Sequence, residues 1–341
     1  MRVIGASQFD SLLLEGTSLI DVRASIEFAD GAIPGARNLP LLTDDERRQV
    51  GTRYKEQGQD AAIALGHSLV SGAIREERIT AWEDAARARP DSVIYCFRGG
   101  LRSRIAQAWL AERGMELPIV EGGYKALRRH LLEAIEREAG ALRFEVICGP
   151  TGTGKTTYLR SQGRPFLDLE ALAGHRGSAF GGLEAPQPSQ VDFENRLALE
   201  LIRLARVAGR ETILIEDESR MIGARCVPRA LFERIQASSR TTLDVPIADR
   251  VENIFRDYVL ASPLGSRGDA RHFMTFRRAV RSIANRLEDA RAREALADLD
   301  RAEAEFMATG ALDANREWIR KLLVWYYDPV YVRGMNRAER R

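Results

Sequence analysis

Cysteine is scarce in this chain, with only Cys96, Cys148 and Cys226 among 341 residues. They are odd in number, far apart and without metal-type spacing. A disulfide framework and a cysteine zinc site are thereby excluded, and a reducing, cytoplasmic setting is expected. Long apolar runs are missing too. Nowhere do about eighteen apolar residues follow one another, and the first residues are interrupted by Gln8, Asp10 and Glu15, so a soluble protein with neither membrane span nor signal peptide is expected. Charge of one sign is not in excess: 51 basic residues face 49 acidic ones, a net charge of +2. Bulk charge therefore announces no nucleic-acid binder, and a polyanion would have to meet a local basic surface. There is no internal repeat and no low-complexity tract. His67, His130 and His272 carry no partner signature and read as solvated or packed side chains.

What is present is an alternation of short apolar runs and helical stretches. Residues 18–22 (SLIDV), 92–96 (SVIYC) and 118–120 (PIV) read as buried parallel strands, followed by turn residues. Between the first two, 43–89 is charged and alanine-rich with helical spacing. Residues 143–148 (RFEVIC) and 212–215 (TILI) are strands of a second sheet. The expected class is α/β, built of two parallel-sheet domains: 1–128 with a helical insertion at about 43–89, a helical linker at 129–142, a second sheet domain at 143–265 and a helical C-terminal region at 266–341.

The stretch YCFRGGLRS, residues 95–103, ends a strand on cysteine and continues with arginines and glycines. A thiol works as its thiolate, which backbone amides, a helix N-terminus and nearby arginines all favour. Cys96 is the candidate nucleophile, with Arg98 and Arg102 as anion partners; the alternative is a small structural residue before a turn. The run LIDVRASIEFADGAIPGARNLP, Leu19 to Pro40, resembles the N-terminal signature of rhodanese domains. Cys96 then sits where their sulfur-carrying cysteine sits, and EGGYKAL, Glu121 to Leu127, resembles their closing segment. Ala32 stands where many relatives have histidine. Cys96 to Arg102 also satisfies C-x5-R, so a cysteine-dependent phosphatase remains an alternative, though without an evident general acid.

GPTGTGKT, Gly149 to Thr156, fits the P-loop pattern and lies between an apolar strand and a helical segment, as its mechanism requires. The residues expected to hold polyphosphate are Gly149, Thr151, Gly152, Thr153, Gly154, Lys155, Thr156 and Thr157. Amides cradle oxygens, Lys155 meets the terminal phosphates and the Thr156 hydroxyl can ligate magnesium. After the next strand come Glu216, Asp217 and Glu218; Asp217 or Glu216 is the acidic metal partner, and Asp217 is taken with Thr156 as the metal pair. His175, Arg176 and Ser178 lie in a glycine-rich stretch where P-loop proteins carry substrate loops.

A rhodanese-like loop followed by a P-loop, with GHRGSAFGG at 174–182, IEDESRMIG at 215–223 and VGTRYKEQGQDAAIALG at 50–66, resembles the tRNA 2-selenouridine synthase family over nearly the whole chain. The resemblance implies exchange of the sulfur of a wobble 2-thiouridine in tRNA for selenium. It implies selenophosphate as donor, and an S-geranylated intermediate made from geranyl diphosphate. The P-loop would grip the diphosphate and Cys96 would take selenium. Two readings from other classes stay open: a P-loop small-molecule kinase with an inactive rhodanese module, and the phosphatase above. The C-terminal interleaving of Trp318, Lys321, Trp325, Tyr331 and Arg333 is read as core packing for the tryptophans, with the terminal arginines left as RNA contacts.

Overall fold

Parallel strands need crossovers, and the helical stretches between the apolar runs supply them. A computed structural model describes residues 2–176 and 186–338, with side chains through Gly334. The chain divides into two units: Met1–Ala141 with Pro188–Val207 and Pro228–Leu231, and Leu142–Gln187 with Ala208–Val227 and Phe232–Arg341.

The first unit holds strands β1 (Val3–Ile4), β2 (Leu19–Asp21), β3 (Arg37–Asn38), β4 (Val93–Tyr95) and β5 (Ile119–Val120), all parallel in the order β1-β5-β4-β2-β3. Its helices are α1 (Phe9–Leu14), α2 (Ser25–Ala29), α3 (Asp44–Leu69), α4 (Gly72–Ala88), α5 (Leu101–Ala111) and α6 (Gly123–Ala141). The central strands β2 and β4 are buried at every residue, because helices cover both faces of a parallel sheet. The stretch 43–89 is the helix pair α3 and α4. α3 opens with a capping box, Glu46 N donating to Thr43 Oγ1 at 3.2 Å and Thr43 N to Glu46 Oε2 at 2.7 Å, and it breaks at Gly58. From α4, fully buried Trp82 joins the core of Ile20, Ile94 and Leu110 and donates Nε1–H to the Leu39 carbonyl at 2.9 Å. A side chain of this kind is worth about 3–5 kcal/mol against alanine.

Two segments expected elsewhere belong to this unit. Residues 129–142, read as a linker, lie mostly in α6, which buries Leu127, Leu131, Ala134 and Ile135 along one face and so packs as part of the unit. Helix α9 (Gln190–Ala208) falls in a stretch assigned to the P-loop domain, yet through Val207 it also counts here. The reason is polar: Ala32 N donates to Asp192 Oδ1 at 2.8 Å, Asn195 Nδ2 donates to the Ala32 carbonyl at 2.7 Å, and Arg128 bonds Asn195 at 2.8 Å and pairs with Glu194. The backbone of Ala32, the position that departs from the rhodanese signature, is thus saturated by α9.

The second unit is built on a parallel sheet, β11-β6-β8-β7, formed by β6 (Phe144–Cys148), β7 (Phe166–Leu167), β8 (Ile213–Glu216) and β11 (Ser239–Thr242). β9 (Met221–Ile222) and β10 (Arg225–Cys226) form an antiparallel pair. Helices α7 (Lys155–Ser161), α8 (Leu169–Ala173), α10 (Arg229–Gln236) and α11 (Ile247–Ile254) accompany the sheet. Beyond it, α12 (Pro263–Arg267), α13 (Phe273–Leu287), α14 (Asp289–Thr309), α15 (Asn315–Leu322) and α16 (Asp328–Ala338) make the helical C-terminal region.

That region has its own apolar core, in which Phe273, Phe276, Ile283, Leu299 and Trp318 meet. Trp318 is 1% exposed and donates Nε1–H to Asn315 Oδ1 at 2.9 Å, so it is a packed residue rather than a base-stacking platform. Nearby cations are held in ion pairs: Lys321 with Glu294 and Asp298 at 2.7 and 2.8 Å, Arg316 with Glu252 at 2.5 Å. The side chain of Arg337, with Arg340 and Arg341, lies outside what is described. No helix among the described residues is long and apolar enough to cross a membrane.

Candidate functional site

In an open α/β sheet, ligands meet the chain at the carboxyl ends of the strands. In the first unit that end of β4 leads into Cys96. Helix α6 starts at Gly123, and its Tyr124 and Lys125 amides donate to the Cys96 and Phe97 carbonyls at 2.8 and 3.0 Å. With those carbonyls taken, the amides of Arg98 to Ser103 donate to no backbone carbonyl among the described residues, a concave run of donors suited to an anion. Cys96 is 3% exposed, and its Sγ lies 3.3 Å from Ser103 Oγ, which also bonds the Gly100 carbonyl at 3.1 Å. A thiol donates to that hydroxyl; a thiolate is served when the hydroxyl turns its proton to sulfur.

The two arginines divide. Arg102 is engaged by Glu27 through two bonds of 2.5 and 3.1 Å, and Glu27 also pairs with Arg47 at 3.0 Å. Although burial alone would raise it, this company holds the Glu27 carboxyl below the usual range. Arg98 has no carboxylate partner among the described residues and is the free cation beside the loop. Below them, Arg23 is 1% exposed and forked onto Asp21 at 2.6–3.1 Å, with its guanidinium 3.8 Å from the Tyr124 ring centroid. It braces the loop's support rather than facing an anion.

The loop depends on Gly123 lacking a side chain. Its φ is +57°, and a Cβ there would stand 2.2 Å from the Cys96 carbonyl oxygen and 2.5 Å from the Gly99 nitrogen. Gly123→Ala is expected to cost more than about 2 kcal/mol, since left-handed strain alone costs about 1–2. Thermal denaturation, measured on the full chain, checks it.

The second unit presents its phosphate loop after β6. Lys155 Nζ donates to the Gly149 carbonyl at 2.9 Å, across the loop, and Thr153 Oγ1 donates to the Pro150 carbonyl at 2.9 Å. Arg250 Nε and Asn253 Nδ2, both on α11, donate to the Thr151 and Gly152 carbonyls at 2.9 Å each. Arg250 is 5% exposed and held by Asp328 at 2.5 and 3.1 Å. These partners hold the carbonyls; the Thr153 amide donates to the Pro150 carbonyl at 3.3 Å, whereas the amides of Gly152, Gly154, Lys155 and Thr156 donate to no backbone carbonyl among the described residues. At Gly152, φ +87°, a Cβ would come within 2.8 Å of the Arg250 carbonyl, so the approach of α11 requires glycine. Arg250 and Asn253 carry no sequence signal, because α11 lies about a hundred residues downstream.

Of the two acids expected near Thr156, Glu216 bonds its hydroxyl and Asp217 does not. Asp217 is held by Arg240 at 2.9 Å, on the side of Cys148. Side chains alternate along an extended chain, so Glu216 and Glu218 face the other way. There they meet Glu170 from α8, the three carboxylates offering oxygens within 4.8 Å of one another. Glu216 bonds the Thr156 hydroxyl, and its buried Oε1 has no partner among the described residues. Burial, then repulsion by Glu218 and Glu216, pushes Glu170 up to about 9; burial, then Glu216, pushes Glu218 up to about 7. Three hard oxygen donors, an orphaned carboxylate oxygen and a threonine hydroxyl fit a magnesium-like cation.

These shifts give a signed prediction. The folded pKa values exceed the ordinary carboxyl value of 4.5, so the folded state binds more protons than the unfolded chain between about 4.5 and 9. Cation-free protein should therefore lose stability as pH rises from 5 to 9. Added Mg²⁺ should raise the melting temperature more at pH 8.5 than at pH 6, because protons and metal compete for the same oxygens. A scan of melting temperature over pH, with and without Mg²⁺, decides it; an unchanged difference would remove the cation site.

Of the remaining expected residues, Thr157 is exposed on the first turn of α7. Arg176 donates to the Asp257 carbonyl at 2.8 Å and lies over the Tyr258 ring. His175 has a buried Nδ1 without a partner among the described residues, and burial lowers its pKa. Ser178 lies outside the described residues.

A cysteine loop ringed by unengaged amides on one parallel sheet and a P-loop with converging carboxylates on another define a rhodanese-like module joined to a P-loop module. Comparison with known proteins agrees: residues 6–130 match the rhodanese-like domain, and residues 142–341 match the tRNA 2-selenouridine synthase AAA domain. The chain belongs to the tRNA 2-selenouridine synthase family. It is 45% identical to the tRNA 2-selenouridine synthase of Bdellovibrio bacteriovorus, over 99% of this chain and 94% of that one. Its identity to the synthase of Nitrosomonas europaea is 42%, over 98% and 93%, and to that of Bordetella bronchiseptica 47%, over 95% and 89%.

Proposed function

We propose that the protein is a tRNA-modifying transferase that replaces the sulfur of a wobble-position 2-thiouridine with selenium. Selenophosphate is the donor, and the sulfur is first alkylated from geranyl diphosphate. The observation that carries this reading is the pairing, on one chain, of a thiol site in a ring of amides with a P-loop whose threonine hydroxyl bonds Glu216, one of three converging carboxylates.

In the P-loop unit, Lys155 and the amides of Gly152 and Gly154 hold the diphosphate, with Thr156, Glu216, Glu170 and Glu218 placed to hold magnesium. A bound cation would stabilise the departing pyrophosphate. The base's sulfur displaces pyrophosphate from the geranyl carbon, forming a C–S bond as a C–O bond breaks. In the cysteine unit, the donor's tetrahedral anion meets Arg98 and the free amides, and the Cys96 thiolate attacks its phosphorus: an S–P bond forms as the Se–P bond breaks, selenide is released to the base, and water later cleaves the S–P bond to phosphate. The overall exchange is redox-neutral: the C–S and Se–P bonds break, a C–Se bond forms, water completes phosphate, and the sulfur leaves with its alkyl group as a thiol. A thioether sulfur departs more readily than a thione sulfur, which gives the alkylation its purpose.

Nucleoside mass analysis of tRNA from cells with and without the protein, supplied with selenium, tests the reading. Wobble 2-selenouridine should vanish with the protein. If it persists, or if the purified protein turns over ATP without tRNA, the proposal falls and a kinase takes its place.

A further inference from the structure

A cavity of about 1300 Å³ lies within the first unit, beside the cysteine loop. Its lining is predominantly apolar, with Leu42, Val50, Ala62 and Ile63 from α3 and the turn before it, and Ile105 and Trp109 from α5. Phe97 and Arg98, next to Cys96, form part of the same wall, which also carries five cationic side chains against two carboxylates. Arg23 is neutralised by Asp21, and Arg47 and Arg102 share Glu27, so Arg98 and Lys55 are left without a carboxylate partner among the described residues.

A site that handled only a small anion would need the cations and amides but no room walled by aliphatic side chains. Apolar surface kept open to solvent is costly and marks a place for an apolar ligand. A nucleobase asks for hydrogen-bond partners all along its edge; Tyr54, Gln59 and His67 are in the lining, but the greater part of the wall is aliphatic or aromatic and would leave much of that edge unpaired. The combination of hydrocarbon wall and adjoining positive charge suits a flexible alkyl chain whose polar end lies near a phosphate or selenophosphate.

We infer that this cavity, in the cysteine unit and not the P-loop unit, holds the isoprenoid chain carried on the base's sulfur while selenium replaces that sulfur. The inference rests on the proposed reaction and deepens it. As the C–S bond breaks and the C–Se bond forms, the chain remains with sulfur, which takes a proton and leaves as the alkylthiol. Holding the chain positions the breaking bond and selects alkylated bases over the unmodified thione.

The test uses the full chain and anticodon stem-loops bearing S-geranyl or S-methyl 2-thiouridine. Wild-type protein is expected to favour the S-geranyl substrate at least thirtyfold in kcat/KM for selenium exchange. Val50→Trp, which fills the cavity from a half-buried position, should bring that preference to threefold or less while leaving the S-methyl rate within threefold. A preference that survives Val50→Trp overturns the inference. Independently of that variant's folding, a stem-loop carrying a photoreactive geranyl analogue on sulfur should label residues of 44–69 or 101–111; labelling confined to 142–187 overturns it. Exchange without labelling on α3 or α5 sinks the cavity assignment alone. Labelling there without exchange on either substrate sinks the proposed reaction and leaves the cavity assignment standing.

Discussion

Cys96→Ser should abolish selenium incorporation, lowering it by at least about a thousandfold, while the protein still alkylates 2-thiouridine from geranyl diphosphate. The magnitude follows from losing the nucleophile outright, since an alcohol in this ring of amides is not ionised near neutral pH and residual turnover rests on binding alone. The selectivity follows from where the proposed chemistry lies: the sulfur bonds Ser103 in the first unit, whereas Gly152, Gly154 and Lys155 stand in the second. Product analysis by mass spectrometry on one tRNA, scoring S-alkylated, selenium-containing and unmodified nucleosides, checks both halves. Equal loss of both products would mean that Cys96 supports the fold rather than the reaction. Its burial in the core with Ile94 and Ala106 makes that the rival to exclude, and unchanged thermal denaturation of the variant excludes it.

Lys155→Ala should show the converse. Removing a charge-assisted donor weakens diphosphate binding by about 10- to 100-fold. Losing a preorganised group aimed at the departing pyrophosphate costs turnover about 10²- to 10³-fold. Alkylation therefore falls steeply, whereas selenium exchange on a stem-loop that was S-alkylated chemically stays near wild type. Isothermal titration with pyrophosphate and Mg²⁺, alongside both assays, separates binding from chemistry. If exchange on the pre-alkylated substrate were lost as well, the division of labour between the units would be wrong.

Local pattern carried a good deal of this. Both loops were legible because each needs glycines at set positions: Gly123 must come within touching distance of the Cys96 carbonyl, and Gly152 must admit the Arg250 carbonyl. The buried strands β2, β4, β6 and β8 announced themselves as continuous apolar runs. Three consecutive acids after β8 did not reveal which of them served the threonine, because that depends on the direction in which an extended chain presents each side chain. Asp217 is the one that Arg240 holds.

Glu170, Ser103, Arg250 and Asn253 gave no signal of their own. Each matters only through a neighbour distant in sequence or through a hydroxyl that turns. The linker reading of 129–142 failed for a similar reason: an amphipathic helix reads alike whether it spans two domains or packs on one, and only the partner for Leu127, Leu131 and Ile135 settles it.

By itself the sequence determined that two glycine-shaped loops, one carrying Cys96 and one carrying Lys155, follow strands of two parallel sheets, since backbone conformation is local and glycine spacing encodes it. Tertiary structure alone decided which acid bonds Thr156 and which carboxylates gather around it, that Arg102 beside Cys96 is paired while Arg98 has no carboxylate partner among the described residues, and that a largely apolar cavity adjoins the cysteine loop. Those are properties of side chains brought together from far along the chain, and their physical cause is burial: it excludes water, raises carboxyl pKa values, and makes the identity of each nearest partner count.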